Sequence, residues 1–117
     1  MKKIYYLSTC DTCKKILNEL DVPSDFILQD IKTDAITETQ LEEMKALAGS
    51  FESLFSKRAR LYKERDLKNK TLTEQDYKEL ILEHYTFLKR PVIINKEEIF
   101  IGNSKKTIAS AKESIHG

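Results

Sequence analysis

The sequence has few of the features that mark secreted scaffolds, membrane proteins and nucleic-acid-binding proteins. Its 117 residues include only two cysteines, too few for the disulfide framework of a small secreted fold. No apolar run approaches the roughly 20 residues that a membrane-spanning helix requires. Twenty Lys and Arg residues nearly balance 19 Asp and Glu residues, so no overall field attracts nucleic acid or an acidic membrane. We therefore expect neither membrane association nor direct binding to nucleic acid.

The N-terminus has the basic start of a signal peptide, Met1-Lys2-Lys3. The apolar stretch that follows, Ile4 to Leu7, is much shorter than the roughly 7–15 residues of a signal-peptide core, which favours a cytoplasmic location. The length fits one domain, and the 40% of hydrophobic residues are enough to build one core. We expect a monomer with a single domain over residues 1–117.

The first 30 residues predict a strand, a helix and a second strand. Residues 3–8 are rich in β-forming side chains. From Asp11 the apolar residues recur at helical spacing, at Cys13, Ile16, Leu17 and Leu20. Pro23 ends this helix, and residues 26–28 form a second short strand. The result is a β-α-β unit, whose crossover requires parallel strands.

Helix-start signals recur in the rest of the chain, at Thr37 with Gln40, Thr73 with Asp76, and Ser104. Residues 92–94 and 99–101 flank a turn and predict a β-hairpin, which requires antiparallel strands. The sequence therefore predicts an α/β fold with a mixed sheet, in the order β-α-β … β-β-α. A helical insertion over about residues 35–87 separates the two halves.

The two cysteines form a C-x-x-C motif, Cys10-Asp11-Thr12-Cys13, where the first strand meets the first helix. A helix N-terminus stabilises a thiolate through its unpaired N–H groups and positive dipole end. The second sulfur follows one turn later, where it can attack a mixed disulfide formed at the first. This position predicts Cys10 as the attacking thiol and Cys13 as the resolving thiol.

Two other interpretations of the motif stay open. A structural zinc site needs four ligands, and His84 and His116 lack the usual spacing for it, so we expect no metal. Alternatively, Cys13 belongs to the apolar stripe of the helix and Cys10 has no role, since cysteine is among the most buried residue types.

Two further features have a functional and an ordinary interpretation. Arg90-Pro91 precedes the hairpin, where proline is also a common turn residue. The stretch from Lys57 to Lys70 is the most basic in the chain. Such a run is usually a solvated surface, but its arginines can also recruit an oxyanion or an acidic thiol such as glutathione.

Together these features resemble the ArsC/Spx family of arsenate reductases and related glutaredoxin-like proteins. The matching segments are Tyr6–Lys15, Ser56-Lys57-Arg58 before Tyr62-Lys63, Arg90–Ile94 and Gly102. The resemblance covers essentially the whole chain and implies a thioredoxin-like fold with an inserted helical subdomain. In thioredoxin-like folds a proline at this point is usually cis and lies against the active cysteine, and the sequence leaves the isomer of Pro91 open.

The resemblance implies specific site residues. In the reductases of the family a cysteine attacks arsenate while three arginines hold the oxyanion. Cys10 matches the nucleophile and Arg90 matches one arginine. The arginine of the insertion falls on Ser56 in the pattern of characterised reductases and on Arg58 in that of other relatives, and the third falls on Asn103. Which of Ser56, Arg58 and Arg60 faces the site is left open, and the incomplete arginine set argues against arsenate itself as the substrate.

We therefore predict an arsenate-reductase-like thiol oxidoreductase that binds no cofactor. The predicted catalytic residues are Cys10 and Cys13, with Arg58 and Arg90 binding an anionic substrate and Pro91 beside them. Glutathione, glutaredoxin or thioredoxin would serve as reductant. The alternative is an Spx-like redox switch, which would bind the C-terminal domain of the RNA polymerase α subunit.

Overall fold

The structure is a computed structural model that describes residues 1–117. The chain forms two compact units. The first combines Met1–Ala35 with Arg90–Gly117, and the second is Ile36–Lys89. In chain order the elements are β1 (Lys2–Tyr6), α1 (Asp11–Leu20), β2 (Ile27–Asp30), α2 (Glu38–Ala48), α3 (Arg60–Glu64), α4 (Glu74–Glu83), β3 (Val92–Asn95), β4 (Glu98–Ile101) and α5 (Lys105–His116). No helix among them has both the length and the apolar character to cross a membrane.

The first unit is a mixed four-stranded sheet in the order β2-β1-β3-β4. Strands β1 and β2 are parallel, whereas β3 is antiparallel to both β1 and β4. This arrangement confirms the predicted α/β class, because the early crossover and the late hairpin each impose their own strand direction. Helices α1 and α5 pack on the sheet through a buried apolar cluster formed by Ile4, Ile16, Leu20, Phe26, Ile93, Ile108 and Ala111.

Short-range signals account for the ends of the elements in this unit. The hairpin turns through Lys96, whose φ of 60° lies in the left-handed region that a two-residue turn requires. The Ser104 side chain accepts a hydrogen bond from the N–H of Thr107 and caps α5, as predicted. The second strand begins one residue later than predicted and ends two residues later, at Asp30.

The second unit is helical and contains the predicted α2 and α4. Thr37 and Thr73 each accept a hydrogen bond from the backbone three residues later and complete the two predicted capping boxes. Helix α2 ends at Gly49, whose φ of 96° favours glycine. Phe55 is fully buried at the centre of an aromatic cluster with Tyr62, Tyr77 and Phe87.

The helical unit differs from the sequence-based prediction at two places. The basic stretch contains the short helix α3 and a 3-10 turn at Leu67–Asn69, neither of which was predicted. Leu67 anchors this segment in the interior, although charged residues surround it in the sequence. His84 follows α4 with an extended backbone, and its ring nitrogen accepts from the N–H of Thr86 to begin the next turn.

Candidate functional site

Cys10 occupies the N-cap position of α1. Its backbone is extended, with φ −98° and ψ 111°, so α1 begins at the next residue. The Cys10 N–H donates to the Leu7 carbonyl over 3.0 Å, and the Cys10 carbonyl accepts from the Lys14 N–H over 3.2 Å. These two bonds close the loop between β1 and α1 and fix the backbone of Cys10 at the helix start. The side chain makes no capping bond and is partly exposed.

Cys13 lies one turn into α1 and is buried, with 1% of its surface exposed. It shares the inner face of the helix with Ile16 and Leu20, as the apolar spacing predicted. Both cysteines are free thiols in this structure. The C-x-x-C motif thus presents one accessible sulfur and one protected sulfur at the same helix end.

The two thiols differ in acidity. Burial opposes ionisation of Cys10, but hydrogen bonds from the backbone and thiol of Cys13, the charge of Arg90 and the backbone N–H of Thr12 outweigh it. The net effect lowers the pKa of Cys10 below its ordinary value of 9.0. Burial is also the main influence on Cys13, and with the negative charge on Cys10 it raises the Cys13 pKa to about 11. A partly exposed, acidic thiol next to a buried, protonated one is an arrangement suited to thiol-exchange chemistry.

Arg90 and Pro91 immediately precede β3, and Arg90 acts electrostatically on this site. The Arg90–Pro91 peptide bond is cis. Pro91 is buried, and its carbonyl accepts from the N–H of Gly102 over 3.0 Å. Arg90 is half-buried, and its charge lowers the pKa of both thiols. The structure therefore brings Arg90 within electrostatic reach of Cys10 and Cys13, three residues that the sequence analysis had singled out.

The remaining predicted arginine belongs to the helical unit. Arg58 is exposed in the turn before α3, whereas Arg60 is the first residue of α3 and forms an exposed ion pair with Glu64. The Ser56 N–H donates to the carbonyl of Phe87. A role for Arg58 at the Cys10 site stays a prediction.

The surroundings of the candidate zinc ligands, the cysteines and the two histidines, bear on the zinc interpretation of the C-x-x-C motif. Residues 1–117 contain no group of three or more His, Cys, Asp or Glu side chains arranged to hold a metal ion. The ring of His84 accepts from a backbone N–H, and that of His116 is hydrogen bonded to the Leu20 carbonyl over 2.6 Å. Both histidine rings thus have hydrogen-bond partners in the backbone.

Sequence reasoning missed one pair of residues next to the site. The Asp30 carboxylate accepts two hydrogen bonds from Ser8, one from its N–H over 3.1 Å and one from its hydroxyl over 2.6 Å. These bonds hold the Asp30 pKa below its ordinary value. The available signal was topological, because the carboxyl ends of two parallel strands lie side by side at one edge of a sheet.

The sheet topology and the helix-start cysteine define a thioredoxin-like α/β protein, as the solved structures of related proteins also indicate. The sequence profile of the ArsC family matches residues 5–111. The chain therefore belongs to the ArsC family, which confirms the resemblance that its motifs suggested.

Individual relatives include a regulator and a reductase. The chain is 22% identical to the global transcriptional regulator Spx of Bacillus subtilis, over 92% of this chain and 84% of that protein. It is similar in structure to an arsenate reductase of Vibrio cholerae, with a TM-score of 0.77 and 16% identity over 94% of this chain and 96% of the other. A Staphylococcus aureus protein solved by NMR is 29% identical, with a TM-score of 0.72 over 94% of this chain and 97% of the other.

Proposed function

We propose that this protein is a thiol oxidoreductase of the arsenate-reductase-like type that reduces a disulfide or a related acceptor. Cys10 would be the nucleophile and Cys13 the resolving thiol. The observation that carries the proposal is the difference between the two sulfurs: Cys10 is accessible with a lowered pKa, whereas Cys13 is buried with a pKa of about 11. Only the thiolate attacks, so this difference gives the two sulfurs a fixed order of reaction.

The first step would be attack of the Cys10 thiolate on one sulfur of a substrate disulfide. The Cys10–substrate S–S bond forms, the substrate S–S bond breaks, and the other substrate sulfur leaves as a thiolate. The negative charge on Cys10 then disappears, and with it one of the influences that raise the Cys13 pKa. Cys13 is thus easier to ionise at the moment when its thiolate is needed.

The second step would be attack of Cys13 on the Cys10 sulfur. Cys13 gives up its proton, the Cys10–Cys13 bond forms, and the substrate sulfur leaves and takes a proton. The substrate has gained two electrons, and the cysteine pair has lost them to become a disulfide. Two electrons from glutathione or from a glutaredoxin or thioredoxin would restore the thiols, and no bound cofactor is needed.

Arg90 would orient an acceptor that carries negative charge. Its guanidinium already acts electrostatically on both sulfurs, and its planar shape suits a carboxylate or oxyanion. Arg58 is the second candidate for this role. Asn103, where the reductase pattern has a third arginine, adds no positive charge, which favours an anionic thiol or disulfide such as that of glutathione over arsenate.

Trapping of the mixed disulfide tests this order of events. Cys13→Ser protein mixed with glutathione disulfide should accumulate one glutathione on Cys10, visible by intact-protein and peptide mass spectrometry. Wild-type protein should instead form the Cys10–Cys13 disulfide and release both halves of the glutathione disulfide as free glutathione. The matched Cys10→Ser variant should form no adduct at neutral pH, because Cys13 is buried and protonated. Equal adduct formation on Cys13 in Cys10→Ser would contradict the proposed roles.

A second candidate function is a redox-controlled regulator that binds RNA polymerase through its α subunit. The observation that favours it is the similarity to Spx over 92% of this chain. A regulator of this kind would bind the C-terminal domain of the polymerase α subunit, with an affinity that depends on the state of the Cys10–Cys13 pair. Isothermal titration with the reduced and the oxidised protein tests this, and identical heats in both states, or none, would argue against it.

A further inference from the structure

The loop before Cys10 is attached to the end of the neighbouring strand. In the parallel register Tyr6 of β1 lies opposite Asp30 of β2, and the Tyr6 carbonyl accepts from the Ile31 N–H over 2.9 Å. Both strands therefore end at the same level, and the Asp30 side chain meets the loop just after Tyr6. Ser8 is the residue that it contacts.

Asp30 is itself held in place by the turn that follows it. One carboxylate oxygen accepts from the N–H of Lys32 over 3.2 Å, and the other accepts from the hydroxyl of Thr33 over 3.2 Å. Such a turn, in which an Asp side chain binds the backbone two residues later, fixes its own geometry. The carboxylate is thus a rigid double acceptor for the N–H and hydroxyl of Ser8.

We propose that Asp30 is a positioning residue for Cys10: through Ser8 it holds the loop of residues 7–10 in the conformation that places Cys10 at the N-cap of α1. The inference rests on the proposed function, since it concerns the reactivity of the same thiol. Ser8 lies inside the 7–10 turn that the bond between the Cys10 N–H and the Leu7 carbonyl closes. A loop released at Ser8 would let Cys10 leave the helix end whose N–H groups stabilise its thiolate.

Because Asp30 is negatively charged, a positioning role and a purely electrostatic role predict different effects on the pKa of Cys10. If the carboxylate acted on Cys10 only through its negative charge, it would disfavour the thiolate, so deletion of the charge would lower the pKa of Cys10. Loss of the positioning bond would raise that pKa, because the backbone donors would no longer meet the sulfur. The two explanations predict shifts of opposite sign.

The test measures the pH dependence of Cys10 alkylation by iodoacetamide in Asp30→Ala, Ser8→Ala and the double variant. Peptide mass spectrometry identifies the modified sulfur, and thermal unfolding verifies that each variant is folded. The matched control is Asp25→Ala, which removes an exposed aspartate that pairs with Lys2 at the other end of β2.

In both single variants we expect the alkylation midpoint to rise by about half a pH unit or more. A rise of this size corresponds to roughly threefold less thiolate at neutral pH. The control should not shift, and the double variant should shift no further than the larger single one, because both substitutions remove the same contact.

Other results would overturn the inference. A lower midpoint in Asp30→Ala would mean that the carboxylate acts only through its charge. Reduced thermal stability with an unchanged midpoint in Ser8→Ala would mean that the contact is only structural. A wild-type midpoint at or above the ordinary 9.0 would contradict the proposed function instead, and the Asp30 inference would still be judged by the shifts of its variants from wild type.

Discussion

The thiol of Cys13 follows the sulfur of Cys10 by one helical turn and stabilises the Cys10 thiolate as a hydrogen-bond donor. This bond lowers the pKa of Cys10 and raises that of Cys13. This contact thus contributes to the difference in acidity between two identical side chains. Burial adds to the separation, because it is the main cause of the high Cys13 pKa and is outweighed at Cys10 by donors and by Arg90.

The first prediction concerns the order in which the cysteines react. At pH 7.5, a limited amount of iodoacetamide should modify Cys10 and leave Cys13 intact, since Cys13 is both buried and protonated. Peptide mass spectrometry of the labelled protein measures the ratio, which we expect to exceed about tenfold. Labelling in denaturant is the control and should remove the difference. Preferential modification of Cys13 in the folded protein would contradict the assignment of roles.

The second prediction concerns Arg90. Replacement by methionine removes a positive charge that favours the thiolate, so the pKa of Cys10 should rise by about half a unit or more. Arg90→Lys keeps the charge and should shift the pKa less. The midpoint of Cys10 alkylation against pH measures both. Lys112→Met, on the exposed side of α5, is the control for loss of one positive charge and should have no effect; a shift as large as that of Arg90→Met would show that only net charge matters.

The third prediction concerns stability in alkali. Cys13 has a pKa of about 11 in the folded protein against an ordinary value of 9.0, so its stabilising contribution is complete below pH 9. Between pH 9 and 11 the unfolded chain loses this proton first, and stability should fall as pH rises. The loss should be about 1–2 kcal/mol, after allowance for solvent screening of the two-unit difference. Urea unfolding at pH 8.5 and 10.5 measures it.

The comparison with Cys13→Ala isolates this effect. The variant is expected to be less stable than wild type at pH 8.5, because it lacks a buried side chain, but to lose less stability on going to pH 10.5. Cys10 contributes to stability with the opposite sign. Because its pKa is lowered in the folded protein, the Cys10 thiolate stabilises the fold above pH 9.0. This contribution disappears as the pH falls through the pKa of Cys10 in the folded protein. Equal pH dependence in wild type and Cys13→Ala would contradict the high Cys13 pKa.

The parts of the fold that depend on neighbours in sequence were predictable. The capping residues Thr37 and Thr73 act on the backbone three positions later, so their role is visible in the sequence. The helical period beginning at Asp11 likewise predicted that Cys13 faces inward, with Cys10 at the helix start. These inferences need only the local geometry of a helix.

The parts that depend on distant contacts were not predictable in the same way. Asp30 meets Ser8 across 22 residues of sequence, and nothing in either neighbourhood indicates the partner. Helix α3 was missed because its charged residues show no apolar period, while Leu67 just beyond it anchors the segment by packing. The role predicted for Arg58 came from the family resemblance, because no local sequence pattern links Arg58 to Cys10.

The last prediction tests the capping boxes of the helical unit. In Thr37→Ala the N–H of Gln40 loses the side-chain oxygen that it donates to over 3.1 Å, and the helix start loses half of its reciprocal pair. We expect a loss of about 1 kcal/mol in the free energy of unfolding, measured by urea denaturation followed by circular dichroism. Thr39→Ala is the matched control, because this threonine is exposed within α2, where alanine has the higher helix propensity and should leave stability unchanged or slightly raised. An equal loss of unfolding free energy in Thr37→Ala and Thr39→Ala would contradict this prediction. It would show that each threonine contributes through side-chain packing on α2 and that the cap hydrogen bond adds no measurable stability.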